Sequence, residues 1–147
     1  MKLSHLYSQI IKFGKERDPR NKSLISSFED TALLYGEADT DIKKIMVGID
    51  IDIGELLLAD RIRNAEGLDL VIAHHPQGRA YAAFYEVMQL QVDMLVSVGI
   101  NKKVAKALID ERKQEVERRV LSQNHTRSTD AARLLGLPFM CVHTPAD

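Results

Sequence analysis

The sequence predicts an α/β fold: a small sheet with parallel core strands flanked by helices, with a long antiparallel helical hairpin inserted before the last strand. The first observation is that two apolar, strand-like runs, 45–50 and 70–73, enclose an amphipathic helical stretch, which is the pattern of a βαβ crossover. The second is that helical stretches at 78–98 and 101–121 are separated by only a short turn. The third is another buried-strand pattern at 137–142.

The amino-terminal part of the chain predicts a helix followed by a covering loop. Apolar residues recur at helical spacing from Leu3 to Ile11, and Gly14 offers a stop. From 15 to 39 the pattern breaks into turn-like and polar residues. We therefore expect this segment to be a loop with at most one helical turn.

The βαβ unit places Asp50 near the carboxyl end of its first strand, which we expect to be buried. The helix between the two strands spans 55–64. Its expected inward-facing residues are Leu56, Leu57, Ala59 and Ile62. Asp50 either orients a metal-binding histidine or caps the turn that follows it, and the sequence leaves both interpretations open.

Composition excludes several classes of partner. The length of 147 residues fits a single α/β domain, 1–147. With 20 Lys and Arg against 21 Asp and Glu, there is no net field to recruit nucleic acid or an anionic membrane. No apolar run approaches a membrane span and the start lacks a signal-peptide core, so we expect a cytoplasmic protein. The single Cys141 excludes an intrachain disulfide and is interpreted as a small buried strand residue.

The second apolar run leads directly into His74-His75-Pro76. Histidines there lie at the carboxyl end of a parallel strand, which is where open α/β sheets bind ligands. Pro76 disfavours helical geometry at His75, so we expect the two imidazoles to point in roughly opposite directions and to serve two metal ions. The alternative is one buried, hydrogen-bonded histidine and one exposed histidine, and the spacing alone does not decide between them.

A short helix closed by Gly136 predicts a second site. Ser128 or Thr129 can cap its amino end, and His125 and Arg127 flank that end. Free backbone N–H groups and the helix dipole favour a phosphate or carboxylate there. An ordinary capped surface turn is the alternative, and we weigh the two equally.

The last strand repeats the design of the earlier one, because it also ends in a histidine followed by a proline. His143 follows the apolar run and Asp147 comes four residues later. We expect both residues to lie beside His74 and His75, because the carboxyl ends of parallel strands meet at one edge of a sheet. A carboxylate can bridge two metal ions, which an imidazole cannot do.

Together these segments resemble the Nif-three-like family of dinuclear metal-centre proteins. The resemblance rests on the run 69–76, with 47–50 before it and 141–147 after it. Some members of that family carry the label GTP cyclohydrolase type two, and members form ring-shaped hexamers. The resemblance therefore implies a homo-oligomer, with a hexamer as the expected form.

The resemblance also implies roles for the residues that match. His74 and His75 would each bind a different metal ion, Asp147 would bridge the ions, and His143 would lie among the ligands or just behind them. The implied cofactors are two divalent transition metal ions, and zinc, iron, manganese and nickel suit such donors almost equally.

Two features depart from the family pattern. That pattern ends with a histidine and a glutamate four residues apart, whereas this sequence stops at Asp147. We therefore expect 1–147 to be the amino-terminal part of a longer Nif-three-like protein. The hairpin, 78–121, and the Asn124-His125-x-Arg127 element have no clear counterpart in the commonest members, which indicates a divergent branch, and the hairpin is a plausible oligomer contact.

The leading functional prediction is a metal-dependent hydrolase that acts on a nucleotide or phosphate ester. In this scheme His74, His75 and Asp147 hold metal and His143 shuttles a proton, while the charge of a small anionic or nucleotide-like substrate is bound by His125 and Arg127. The alternative is a metal-binding scaffold or regulatory module that binds partner proteins without catalysing a reaction.

Overall fold

The computed structural model describes residues 1–19, 25 and 27–147. Its sheet has four strands in the order β1-β4-β3-β2. The strands are β1 (Ala32–Tyr35), β2 (Ile45–Gly48), β3 (Leu70–Ala73) and β4 (Phe139–Cys141). β2, β3 and β4 are mutually parallel, whereas β1 is antiparallel to β4. This mixed sheet, flanked by helices, confirms the predicted α/β class and the βαβ crossover.

Helices lie between these strands along the chain. They are α1 (Leu3–Arg17), α2 (Ile53–Glu66), α3 (Gly78–Ala82), α4 (Gln89–Ser97), α5 (Lys102–Leu121) and α6 (Arg127–Leu135). Two 3₁₀ turns, Phe84–Met88 and Thr144–Ala146, complete the set among the described residues. α6 ends at Gly136, which adopts the left-handed conformation with φ of 62° as the sequence predicts.

The two central strands form the core of the molecule. Leu70, Val71, Phe139 and Met140 are each 0% exposed, as continuous apolar runs in a sheet covered on both faces require. One face packs against α1 through Leu3, and the other packs against α2 and α6. Cys141 is buried and free, which confirms its interpretation as a small core residue.

The prediction that 15–39 is a covering loop is wrong, because it contains β1. Residues 20–24 and 26 of that segment lie outside the described residues. The strand was missed because its short apolar run has no β-branched residue and is set among turn-like and polar residues. Its antiparallel pairing has a consequence for the site, since the amino end of β1 lies beside the carboxyl end of β4.

The prediction that the strand at 45–50 is buried is also wrong. β2 is an outer strand of the sheet, and Val47 and Ile49 are 69% and 63% exposed. The α1 side of the sheet is covered over β3 and β4 rather than over β2. Leu57 likewise points outward at 51% exposure, because it lies about 100° round the helix from the buried Leu56.

The stretch 78–98 is three shorter pieces rather than one helix, because α3 and α4 are separated by the 3₁₀ turn. No glycine or proline marks the break, so the sequence carries no local signal for it. α5 runs back along these pieces, as Lys113 pairs with Glu86 and Gln123 accepts a hydrogen bond from Tyr81. The hairpin itself is therefore confirmed.

Gly14 does not end α1, which continues to Arg17. A Cβ atom at this position would lie 2.8 Å from atoms of both Phe28 and Pro145. The glycine therefore allows α1 to approach the 3₁₀ turn that follows His143, and its role is close packing rather than termination.

Among the described residues, none of the helices has both the length and the apolar character needed to span a bilayer.

We predict that Gly14→Ala destabilises the protein by about 1 to 3 kcal/mol, because the added methyl group overpacks the contact with Phe28 and Pro145. In an open helix the same substitution would stabilise by up to about 1 kcal/mol. The matched control is Gly54→Ala in α2, where a Cβ atom would meet nothing within 4 Å. Urea unfolding measures both variants, and a Gly14→Ala protein more stable than wild type would contradict the packing role.

Candidate metal centre

The parallel strands bring the predicted histidines to one edge of the sheet. The backbone N–H of His74 donates to the carbonyl of Gly48 at 2.8 Å, and that of His75 donates to Ile49 at 2.9 Å. On the other side of β3, the N–H of Val142 donates to the carbonyl of Ala73 at 2.9 Å. The ends of β2, β3 and β4 are thus tied together immediately beneath the site.

The three imidazole rings lie side by side. The rings of His74 and His143 are stacked, with centroids 4.8 Å apart and planes 19° apart. The ring of His75 lies 5.4 Å from that of His74 and 6.1 Å from that of His143. The expectation that His74 and His75 point in roughly opposite directions is therefore wrong, because their strand has ended and both residues follow the bend toward Pro76.

Each of the three rings has its Nδ1 atom beside an oxygen acceptor. His74 Nδ1 lies 3.2 Å from the carbonyl oxygen of Val142. His75 Nδ1 lies 2.7 Å from Asp50 Oδ1, and His143 Nδ1 lies 2.9 Å from Asp30 Oδ2. A carbonyl oxygen can only accept, so Nδ1 of His74 carries the proton and its Nε2 keeps a free lone pair when the ring is neutral.

Asp147 joins this group from the last 3₁₀ turn. Its Oδ1 atom is 3.5 Å from Nε2 of His74, and its Oδ2 atom is 3.6 Å from Nδ1 of His143. One potential ligand atom from each of His74, His143 and Asp147 can be chosen so that all lie within 4.8 Å of one another. These residues could hold a metal ion, and the predicted approach of His143 and Asp147 to His74 is confirmed.

A cavity of about 400 Å³ extends from this edge toward the amino end of α6. Its lining includes His75, His143 and Phe84 together with His125 and Arg127. The cavity therefore connects His75, a predicted metal ligand, and His143, the predicted proton carrier, with the predicted substrate ligands His125 and Arg127.

The amino end of α6 differs from the predicted cap. The helix begins at Arg127, while Ser128 and Thr129 lie inside its first turn and are 4% and 7% exposed, so the prediction that either residue caps it is wrong. The carboxylate of Asp52 lies beside this helix end, where the sequence predicts an external anion. It pairs with the Arg127 guanidinium and accepts a 3.2 Å hydrogen bond from Ser128 Oγ. His125 Nδ1 is buried without a hydrogen-bond partner among the described residues.

The acidic residue that caps α2 is Asp52. Its side chain accepts from the Ile53 N–H at 2.8 Å, and Glu55 accepts from the Asp52 N–H at 2.9 Å, which completes a capping box. Asp50 is therefore free to hold His75, as one of the two interpretations of its sequence position predicts.

A search of solved structures matches this chain to a crystal structure of a NIF3 superfamily protein from Sphaerobacter thermophilus. The two share 33% sequence identity, the TM-score is 0.79, and the match covers 95% of this chain. The chain belongs to the NIF3-like family. It spans 48% of the length of that relative. No family model matches the sequence, and no curated protein matches it.

The match also bears on the helical hairpin of this NIF3-like chain. The uncovered 5% of the chain is much shorter than the stretch from α4 through α5. Most of the hairpin therefore has a counterpart in the Sphaerobacter thermophilus protein, so the hairpin is shared with at least this relative.

The residue that sequence reasoning missed is Asp30. It is 0% exposed, and its Oδ2 atom accepts hydrogen bonds from His143 Nδ1, from the Thr144 N–H at 3.2 Å and from Thr144 Oγ1 at 2.6 Å. Beside it, Thr31 Oγ1 accepts from the His143 N–H at 3.1 Å. The available signal was an Asp-Thr pair directly before the apolar run of β1, but that strand had not been recognised.

The Asp30–His143 pair shifts both pKa values. Burial alone would raise the pKa of Asp30, but the hydrogen bonds from His143 and Thr144 and the charge of His143 outweigh burial and lower it. The hydrogen bond to Asp30 raises the pKa of His143 against the opposing effect of burial, and the charges of Asp30 and Asp147 add to the increase.

We predict that Asp30→Asn lowers the free energy of unfolding of the metal-free protein by about 1.5 to 3 kcal/mol, which is typical for a lost hydrogen bond to a charged group. The stability from Asp30 is present above its ordinary pKa of 3.8 and is lost as the pH falls through the lower folded value. The stability from His143 is present below its ordinary pKa of 6.5 and is lost as the pH rises through the higher folded value.

The difference between wild type and Asp30→Asn should therefore be largest between pH 3.8 and 6.5. Urea unfolding in the presence of a chelator, repeated across this range and beyond it, measures the difference. The control is Asp41→Asn, which removes an exposed pair with Lys2 and should change stability little. A difference that does not vary with pH would contradict the assignment.

Proposed function

We propose that this NIF3-like chain binds divalent transition metal ions at the edge of its sheet and acts as a metal-dependent hydrolase on a phosphate ester or nucleotide. The observation that supports it best is the set of Nδ1 contacts, because each of the three histidines has Nδ1 beside an oxygen acceptor. Histidines that bind metal usually donate their other ring N–H to a carbonyl or carboxylate, which fixes the ring and its tautomer.

The donor set fits such an ion. His74, His143 and Asp147 would supply two imidazole nitrogens and a carboxylate oxygen, and three protein ligands leave a further position for water in catalytic zinc sites. His75 lies beside this set and would serve a second ion, with its ring oriented by Asp50. Neutral imidazole and carboxylate donors suit zinc, iron, manganese and nickel alike.

This arrangement changes the role that the sequence gave to His143. The sequence-based prediction made it a proton carrier, whereas its stacking on His74 and the contact of its Nδ1 atom with Asp30, which leaves Nε2 free, favour a role as a metal ligand. When bound, the ion would lower the pKa of a water molecule toward about 7 and so supply hydroxide near neutral pH. The buried Asp30 would hold the His143 ring in place for that role.

The substrate would occupy the cavity of about 400 Å³, with its reacting group beside His75 and His143 and its charge near His125 and Arg127. Arg127 already pairs with Asp52, but the side chains are 59% and 47% exposed. Pairs this exposed stabilise by only about 0 to 1 kcal/mol, so a phosphate group can replace Asp52 as the partner of Arg127.

The test measures metal binding and turnover on the same protein. Calorimetric titration with zinc or manganese should give one to two ions per chain, and hydrolysis of a panel of nucleotides and phosphodiesters should require the added metal. His74→Ala should weaken metal binding by at least about tenfold and abolish turnover, because it removes a ligand. His5→Ala is the matched control, since His5 is an exposed histidine in the first turn of α1, at the opposite end of that helix from Gly14.

A second variant distinguishes substrate binding from metal binding. Arg127→Ala should leave metal content unchanged and weaken a phosphorylated ligand by roughly ten- to a hundredfold. Arg133→Ala is its control, because Arg133 lies on the same helix and pairs with Asp130. Equal affinities in wild type and Arg127→Ala would remove Arg127 from the site, and metal binding without any turnover would favour the scaffold alternative.

A further inference from the structure

We propose that a second cavity, which is also lined by His143, binds an apolar group of the substrate. This cavity has a volume of about 540 Å³, and His143 and Asp147 line it where it meets the candidate metal centre. Val87, Leu90 and Met94 line its apolar wall. The inference rests on the proposed hydrolase function and adds a substrate class to it.

The structure maintains this space by packing around it. Val87 belongs to the 3₁₀ turn and Leu90 to α4, and both elements pack against α5. Gly14 and Pro145 also line the cavity, and their close contact holds α1 against the turn that carries Asp147. An apolar concavity between a helix end and a cluster of ionisable groups is the arrangement expected of a small-molecule site.

The side chains of the wall are accessible rather than sealed in the core. Val87 and Leu90 are half-buried, and Met94 is 49% exposed. Methionine adapts its shape to irregular apolar ligands because its unbranched side chain has three rotatable bonds. A ligand that covers these side chains would gain affinity with each methylene group that it buries.

His143 lines both cavities, with Phe84 packed edge-on against its ring at 5.6 Å. The first cavity has His125 and Arg127 in its lining, whereas the second has the apolar wall that includes Leu90 and Met94, with Arg17 and Asp18 also in its lining. A substrate whose reacting group lies at His143 would therefore place a charged part on one side and an apolar part on the other.

The substrate class with this chemistry is a phosphodiester in which one alcohol is aliphatic and the other carries a further anionic group for Arg127. In the hydrolysis, the oxygen of a water molecule forms a new bond to phosphorus, and the bond from phosphorus to the aliphatic oxygen breaks. The electron pair of that bond stays on the leaving oxygen, which takes a proton from the attacking water. The products are a phosphate monoester and an aliphatic alcohol, so no oxidant or further reactant is needed.

The experiment measures binding of n-alkyl phosphates of increasing chain length to the full chain by calorimetry, with metal and with a chelator. Affinity should rise about two- to fourfold for each added methylene until the cavity is filled. Leu90→Gln and Met94→Gln should flatten this dependence. Val96→Gln is the control and should leave the dependence on chain length unchanged. Val96 is 38% exposed on α4 and is not part of the cavity lining.

The outcomes of this experiment are independent of metal binding. Chain-length dependence in wild type that is lost in Met94→Gln supports the subsite even if no metal binds, in which case only the hydrolase proposal fails. The apolar subsite would be overturned by an affinity that does not change with chain length. An equal dependence on chain length in wild type and in both wall variants would overturn it as well. Circular dichroism confirms that the variants fold, and the half-exposed Met94 provides a test if Leu90→Gln does not.

Discussion

The parallel pairing of β3 with β4 is the interaction on which the candidate site depends. Ala73 lies opposite Cys141, so the chain leaves both strands at the same level and His74 meets His143. The pairing continues one step beyond the sheet, where the Val142 N–H donates to Ala73 and the Val142 carbonyl lies beside the His74 ring. A register shift of one residue would turn these side chains to opposite faces. The core residues that fix this register therefore also fix the stacking of the two rings.

β1 positions the buried Asp30 beside the candidate site. Because it is antiparallel to β4, its amino end reaches the edge at which the other strands end, and Asp30 and Thr31 arrive there from the opposite direction. A buried carboxylate is costly unless it is paired, and Asp30 obtains its partners from His143 and Thr144. The same contacts hold the turn that carries Asp147. The position of a potential metal ligand thus depends on a residue that would never touch the ion.

The sequence predicts most of the fold and the centre of the site, because these depend on local pattern. Continuous apolar runs identify β3 and β4, and their parallel arrangement then places His74 near His143. What the sequence does not predict depends on tertiary contacts. Asp30 lies 113 residues before its partner His143, the break in the helix before α4 has no glycine or proline to mark it, and Asp52 reaches α6 from 75 residues away. The sequence does not predict the exposure of β2 either, because an apolar run does not show which strand lies at the edge of the sheet.

The central claim is that oxygen acceptors hold Nδ1 of the site histidines and leave Nε2 available for metal. Long-range proton–nitrogen NMR of the imidazole side chains tests it most directly, since it reports which nitrogen carries the proton in each ring. In the metal-free protein with neutral imidazole rings, His74 and His143 should carry their proton on Nδ1, and added zinc should shift their Nε2 resonances while leaving those of His5 unchanged. A proton on Nε2 of His74, or zinc that shifts neither Nε2 resonance, would contradict the account.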